Sequence, residues 1–155
     1  MQLYNSLRNR LQNQQETIEI MLNKTDDYHL TLQPSPGKWS IKDNVAHLAK
    51  YQPFFIKRIN AILQQETPAF ERYRAENDPE FEDWRKKEIN ELILTLKDDR
   101  NFIFHLITNL SEPQLGRTGI HKKYGTMTVI DWTEFFLLHE AHHIFTIFQL
   151  VNSQR

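Results

Sequence analysis

The segment LLHEAHHIF, Leu137–Phe145, places His139 and His143 four residues apart, with Glu140 directly after the first. These residues spell H-E-x-x-H, the zinc signature of many metalloproteases, in which the glutamate acts as general base. On a helix, side chains at i and i+4 stack on one face, near enough to share a metal ion. His142 competes for the second position, because i and i+3 also share a face; the 139/143 pair is the preferred reading. Phe135, Phe136, Leu138, Ile144, Ile147 and Leu150 make this helix apolar nearly all round, the mark of a buried one. Buried imidazoles are costly unless hydrogen-bonded or ligated. The plain alternative is a pair of core histidines satisfied by hydrogen bonds.

A catalytic zinc site usually takes three protein ligands. The residues after His143, IFTIFQLVNSQR, contain no His, Asp, Glu or Cys. The third ligand must come from upstream, which disfavours the ordinary protease arrangement. The upstream histidines are His29, His47, His105 and His121. His29 and His121 lie in loop compositions, and His105 lies near a helix C-terminus, where it can simply favour the dipole. His47 lies seven residues after a capping serine, Ser40, deep enough to face a bundle interior. Bundle cores build metal sites from residues projecting off facing helices, so His47 is the best partner for His139 and His143.

Three neutral imidazoles would leave a divalent ion its full charge. Zinc would keep one open tetrahedral position, whereas nickel would more naturally hold extra waters. Such an ion lowers the pKa of a bound water to roughly 7 and deprotonates a bound thiol. Glu140 is a candidate general base, with an interhelical carboxylate as the alternative role. Asp43, four residues before His47, could orient that histidine or cap its helix. The stretch HKKYG, His121–Gly125, could recognise an anionic co-substrate or be a solvated loop. The stretches RYR and WRKKE read as solvated surface, and Trp39 and Trp132 as core or staple residues.

The elements that must position these residues are helices. Leu3, Leu7, Leu11, Ile18 and Leu22 set one helix over about Leu3–Asn23, and a second starts at Ser40. A third runs over about Glu82–Leu110 and a fourth over Thr128 to about Val151. Ser40 with Asp43, and Thr128 with Asp131, match the capping box, and Met127 with Trp132 fits a hydrophobic staple. Pro53 inside the second helix predicts a kink, because it removes a hydrogen bond and crowds the carbonyl of Ala49. Proline- and glycine-bearing stretches separate the four segments. The result is an all-α four-helix bundle forming one domain over residues 1–155.

A net charge of −1 without like-charge blocks gives no sign of nucleic-acid binding. The chain has no cysteine, which excludes disulfides, thiolate ligands and a cysteine nucleophile and fits a reducing cytoplasm. The N-terminal stretch lacks a secretory apolar core, and no stretch of 18 apolar residues predicts a membrane span.

With GKWSIKDNVAHLA opening the second helix, HEAHH in the fourth, and 92 positions from His47 to His139, the whole chain resembles the DinB-like (YfiT, damage-inducible) superfamily. That resemblance implies an up-down-down-up bundle, often homodimeric, holding nickel or zinc. It implies one histidine from helix two and an H-x-x-x-H pair from helix four, here His47, His139 and His143. It also implies a metal-dependent enzyme acting on a small molecule: a transferase using a low-molecular-weight thiol such as bacillithiol, or a hydrolase. A non-catalytic metal-binding stress or interaction protein is the remaining alternative. For the homodimer, Phe54, Phe55, Phe70 and Tyr73 are expected to form an exposed aromatic cluster near Pro53.

Overall fold

The computed structural model describes residues 2–23 and 25–153. The described residues form eight helices and a small sheet: α1 Asn5–Asn13, α2 Glu16–Leu22, α3 Asp27–Thr31, α4 Ile41–Gln64, α5 Phe81–Lys86, α6 Ile89–Thr108, α7 Glu112–Leu115 and α8 Val129–Ser153. Strands β1 Ala69–Phe70, β2 Thr118–His121 and β3 Gly125–Thr128 lie in the connections, with β2 parallel to β1 and antiparallel to β3.

Both predicted capping boxes form. Ser40 Oγ accepts from the amide of Asp43 (3.1 Å), and Asp43 Oδ2 accepts from the amide of Ser40 (2.9 Å). Thr128 and Asp131 repeat the exchange at 3.1 and 2.9 Å. Helix α4 runs through Pro53 without interruption to Gln64.

The four long segments are α1/α2, α4, α6 and α8, and α4 packs against both α6 and α8. Their directions follow from which residues enter which half of the core. One apolar cluster takes Leu7 and Leu11, Tyr51–Ile62, Ile103 and Ile107, and Val129–Leu137. The other takes Ile18 and Leu22, Ile41–Ala49, Leu92 and Leu96, and Ile147–Val151. The first segment thus runs from cluster one to cluster two, α4 and α6 run back, and α8 runs forward again. This is the up-down-down-up order of a four-helix bundle.

Between the two clusters lies a polar layer. Arg100 of α6 and Glu140 of α8, each 1% exposed, form an ion pair across it. Arg100 also donates to Gln15 Oε1 (3.0 Å), and Gln14 Nε2 donates to Glu140 Oε1 and to the carbonyl of Leu137, both at 2.9 Å. Here the expected single first helix divides. At Gln14–Gln15 the backbone keeps helical dihedrals but switches to i to i+3 bonds, Gln14 to Thr17 and Gln15 to Ile18. Two consecutive glutamines thereby turn into the polar layer. The expected third helix also divides, at extended Lys87 and Glu88, into α5 and α6.

The aromatic cluster near Pro53 is not exposed as expected. Phe55 is fully buried and stacks on Phe136 at 4.3 Å between centroids, while Phe54, Phe70 and Tyr73 are half-buried. Phe54, Phe70 and Tyr73 instead line a shallow cavity beside Arg58.

Truncating one partner of a buried ion pair strands the other's charge, at a cost of roughly 3–5 kcal/mol, whereas replacing both by apolar residues of similar volume is often close to neutral. Glu140→Leu should therefore lose about that much stability in urea denaturation, and Arg100→Met with Glu140→Leu should recover most of it. A Glu140→Leu variant as stable as wild type would contradict this account of the layer.

Candidate metal centre

The polar layer has a second component on the other side of α8. Helix α4 presents His47, buried, and α8 presents His139 and His143 one turn apart, both half-buried. One ring nitrogen from each lies within 4.8 Å of the others. His47 Nε2 and His139 Nε2 stand 3.0 Å apart. Two nitrogens on one tetrahedral zinc stand roughly 3.3 Å apart, given bonds of about 2.0–2.1 Å. The first pair stands close to that spacing, and the nitrogen of His143 lies within 4.8 Å of both.

His143 Nδ1 lies 2.8 Å from Asn44 Oδ1, which makes Nδ1 the donor and leaves the Nε2 lone pair free. Asn44 is fixed in turn by donating to the carbonyl of Ser40 (2.8 Å). The capping turn of α4 thus orients a histidine of α8. The Nδ1 atoms of His47 and His139 are buried with no hydrogen-bond partner among the described residues. The reading of satisfied core histidines therefore fails for these two rings.

Burial is the first cause of the unusual basicity of all three. It holds the pKa of His47 down to about 2, with His143 and His139 adding to the effect. It lowers His143 to about 3 and His139 to about 4, with neighbouring charges contributing, Arg58 among them at His139. Neutral imidazole is the form that ligates a metal.

The three histidines open onto a cavity of about 1140 Å³. Trp39, expected as core, forms part of its wall, 5.0 Å from the His47 ring and stacked on His143 at 5.9 Å. Trp132, in contrast, is fully buried in the core. Tyr51 lies 4.4 Å from the His139 ring. Arg72, Tyr73 and Arg74 line the cavity rather than forming a plain solvated surface, as do Lys123 and Tyr124 of the HKKYG hairpin.

The remaining candidates fall elsewhere. His142 is exposed, touches the cavity and lies outside the trio. His29 pairs with Asp26 on α3, and His105 is exposed in the last turn of α6. His121 is buried in β2, where its Nδ1 accepts from the amides of Lys123 and Tyr124 (3.0 and 3.2 Å). Asp43 caps α4 and pairs with Arg85 at 2.8 Å, so its carboxylate braces α4 and α5 rather than His47. Glu140 is engaged by Arg100 and Gln14, on a different face of α8 from His139 and His143. The geometry gives it the interhelical role and offers no support for a general base.

The sequence model of the DinB superfamily matches residues 10–147. Among solved structures, the chain is similar to YfiT of Bacillus subtilis, described as a probable metal-dependent hydrolase with an unusual four-helix bundle topology. The TM-score is 0.84 at 21% identity, over 97% of this chain and 86% of YfiT. It is also similar to TT2238, a four-helix bundle protein (TM-score 0.68, 16% identity, 94% and 98% covered). A third likeness is to YjoA, a DinB-like protein of Bacillus subtilis (TM-score 0.63, 18% identity, 97% and 92% covered). No curated protein sequence matches the chain.

The depressed histidine pKa values set a pH dependence for the metal-free protein. Unfolded histidines take up protons near pH 6.5, while the folded trio resists until about pH 4 or lower. Between these limits the unfolded state binds more protons. The stabilising contribution is complete above about pH 6.5 and is lost as pH falls, by about 1.4 kcal/mol per pH unit for each such group. Urea denaturation of EDTA-treated protein at pH 7, 6 and 5 should show this loss, with a shallower slope in His47→Gln. Equal slopes in the two proteins would contradict it.

Proposed function

This chain belongs to the DinB superfamily, and we propose that it is a metal-dependent enzyme in which His47, His139 and His143 together hold one divalent ion, zinc or nickel. The observation that carries the reading is the convergence of three ring nitrogens, one from each histidine, within 4.8 Å of one another, with the Nε2 atoms of His47 and His139 facing each other at 3.0 Å. Rings buried at this cost are compensated when a cation takes the facing lone pairs. A bound ion would supply Lewis acidity and would lower the pKa of a bound thiol or water.

Two reactions fit such a site. The first is transfer of a group to a low-molecular-weight thiol such as bacillithiol. The sulfur arrives with the co-substrate, because the chain has no cysteine. The cavity, at about 1140 Å³, has room for a thiol and an electrophile together. With Glu140 held by Arg100, no carboxylate among the described residues joins the trio of histidines. A metal-acidified thiol needs none, which favours this reaction. The second reading is hydrolysis, supported by the description of the similar YfiT. The chain's own contribution is common to both. Asn44 fixes the His143 ring, Trp39 and Tyr51 wall the trio, and burial keeps all three imidazoles unprotonated.

Metal content by mass spectrometry, on untagged protein after dialysis, tests the reading. Wild type and His142→Ala should carry about one ion per chain, while His47→Ala and His143→Ala should fall by orders of magnitude. If His142→Ala loses the ion while His143→Ala keeps it, the wrong face of α8 has been assigned. If His47→Ala keeps it, the third ligand is wrong. Thiol consumption with an electrophile, abolished by chelation and restored by metal, separates an enzyme from a metal-binding protein. Metal-dependent ester hydrolysis without thiol consumption would favour the second reading.

A further inference from the structure

Two arginines among the described residues are buried, and they are not alike. Arg100, 1% exposed, meets the carboxylate of Glu140. Arg58, 4% exposed, meets no carboxylate among the described residues. Its Nη2 donates to the carbonyl of Glu71 (2.6 Å) and its Nη1 to the hydroxyl of Tyr51 (3.2 Å). The rings of Phe54, Trp132 and Phe70 surround the guanidinium, at 4.5, 5.3 and 5.6 Å to their centroids. Its Nε has no hydrogen-bond partner among the described residues. The carboxylate of the nearby Glu71 is taken by Lys122. Carbonyls, hydroxyls and ring faces lessen the cost of a buried cation, but they do not neutralise it, and buried charges in folded proteins are ordinarily paired.

The location of this charge gives it meaning. Arg58 lines the same cavity as the three histidines. Tyr51 links the two: its hydroxyl accepts from Arg58, and its ring packs on His139 at 4.4 Å. Because that hydroxyl accepts from Arg58, its own proton is available for donation into the cavity. The wall also carries Lys38, Arg72, Arg74 and Lys123, none of them in an ion pair among the described residues, against one acidic residue, Glu76. A chain of net charge −1 has therefore gathered five cations and one carboxylate around one concave surface. Clefts lined by one sign of charge concentrate ligands of the opposite sign.

We infer that this cavity takes a small molecule bearing a terminal oxyanion, a carboxylate or a phosphate, held by Arg58 and the Tyr51 hydroxyl, with Arg72 and Lys123 at its outer side. The inference names the substrate class for the site proposed above. It rests on that reading only for the reacting end of the ligand, which would lie at the histidines. The anion subsite itself needs no metal.

That independence makes the two readings separable. Inorganic phosphate and malonate are titrated calorimetrically into EDTA-treated protein, with the circular dichroism of each variant checked against wild type. Wild type should bind at least one of them saturably, one per chain, and the tighter of the two identifies the anion class. Arg58→Gln should weaken binding roughly tenfold or more, as expected for loss of a charge-assisted pair. Should Arg58→Gln fail to fold, the double variant Arg72→Gln with Lys123→Gln, at exposed positions, carries the test with a several-fold loss. His47→Ala should lose metal yet keep anion binding. No saturable binding of either anion to wild type overturns the inference, as does binding unchanged in Arg58→Gln and in the double variant. Binding lost in His47→Ala but kept in Arg58→Gln would place the anion at the histidines and also overturn it. None of these outcomes alters the metal stoichiometry that tests the trio.

Discussion

Three imidazoles gathered at one level of the bundle, one buried and two half-buried, are the constraint around which the rest is arranged. Each is kept neutral by the surroundings that bury it. Neutral rings cannot satisfy one another fully, because each has one donor and one acceptor nitrogen. Asn44 settles one ring, and the Nδ1 atoms of the other two have no partner among the described residues. The apolar clusters above and below supply the stability that allows this layer to stay polar. The up-down-down-up order then brings α4 beside α8, so that His47 meets His139 and His143.

Helix α8 serves two partners from five consecutive residues. In HEAHH, the first and last histidines point into the cavity, while the glutamate between them points to Arg100 on α6. Successive residues on a helix are turned about 100° apart, so neighbours in sequence do not share a face. The motif agrees with the protease signature in its letters and differs in its geometry, because the carboxylate braces the bundle. The brace and the site share α8: Glu140 meets Arg100 on one face while His139 and His143 meet His47 on another.

Much of this was legible in the sequence. The apolar stripes gave the long helices, and the capping residues Ser40 and Thr128 marked two starts to the residue. The missing downstream ligand pointed back to His47. What escaped shares a physical cause, namely that it depends on partners distant in sequence. The division at Gln14–Gln15 leaves the apolar period of the first helix intact, and its purpose lies in Arg100 and Glu140. The strands have two to four residues, too few for an alternation to show. Asn44 precedes His47 by three residues on the same helix face, yet it serves a histidine 99 positions away. The RYR segment reads as solvated surface and nothing in the sequence marks Arg58, since only the folded chain brings them to a concave wall.

The central claim is that these three rings bind one ion together. X-ray absorption spectroscopy on the metal-loaded wild-type protein tests it most directly, because it reads the ligand set and not only the metal content. The account predicts three imidazole nitrogens at roughly 2.0–2.1 Å for zinc, with any further ligand supplied by solvent. A shell containing fewer imidazoles, or one with carboxylate oxygens such as those of Glu140 in place of a ring, would contradict it.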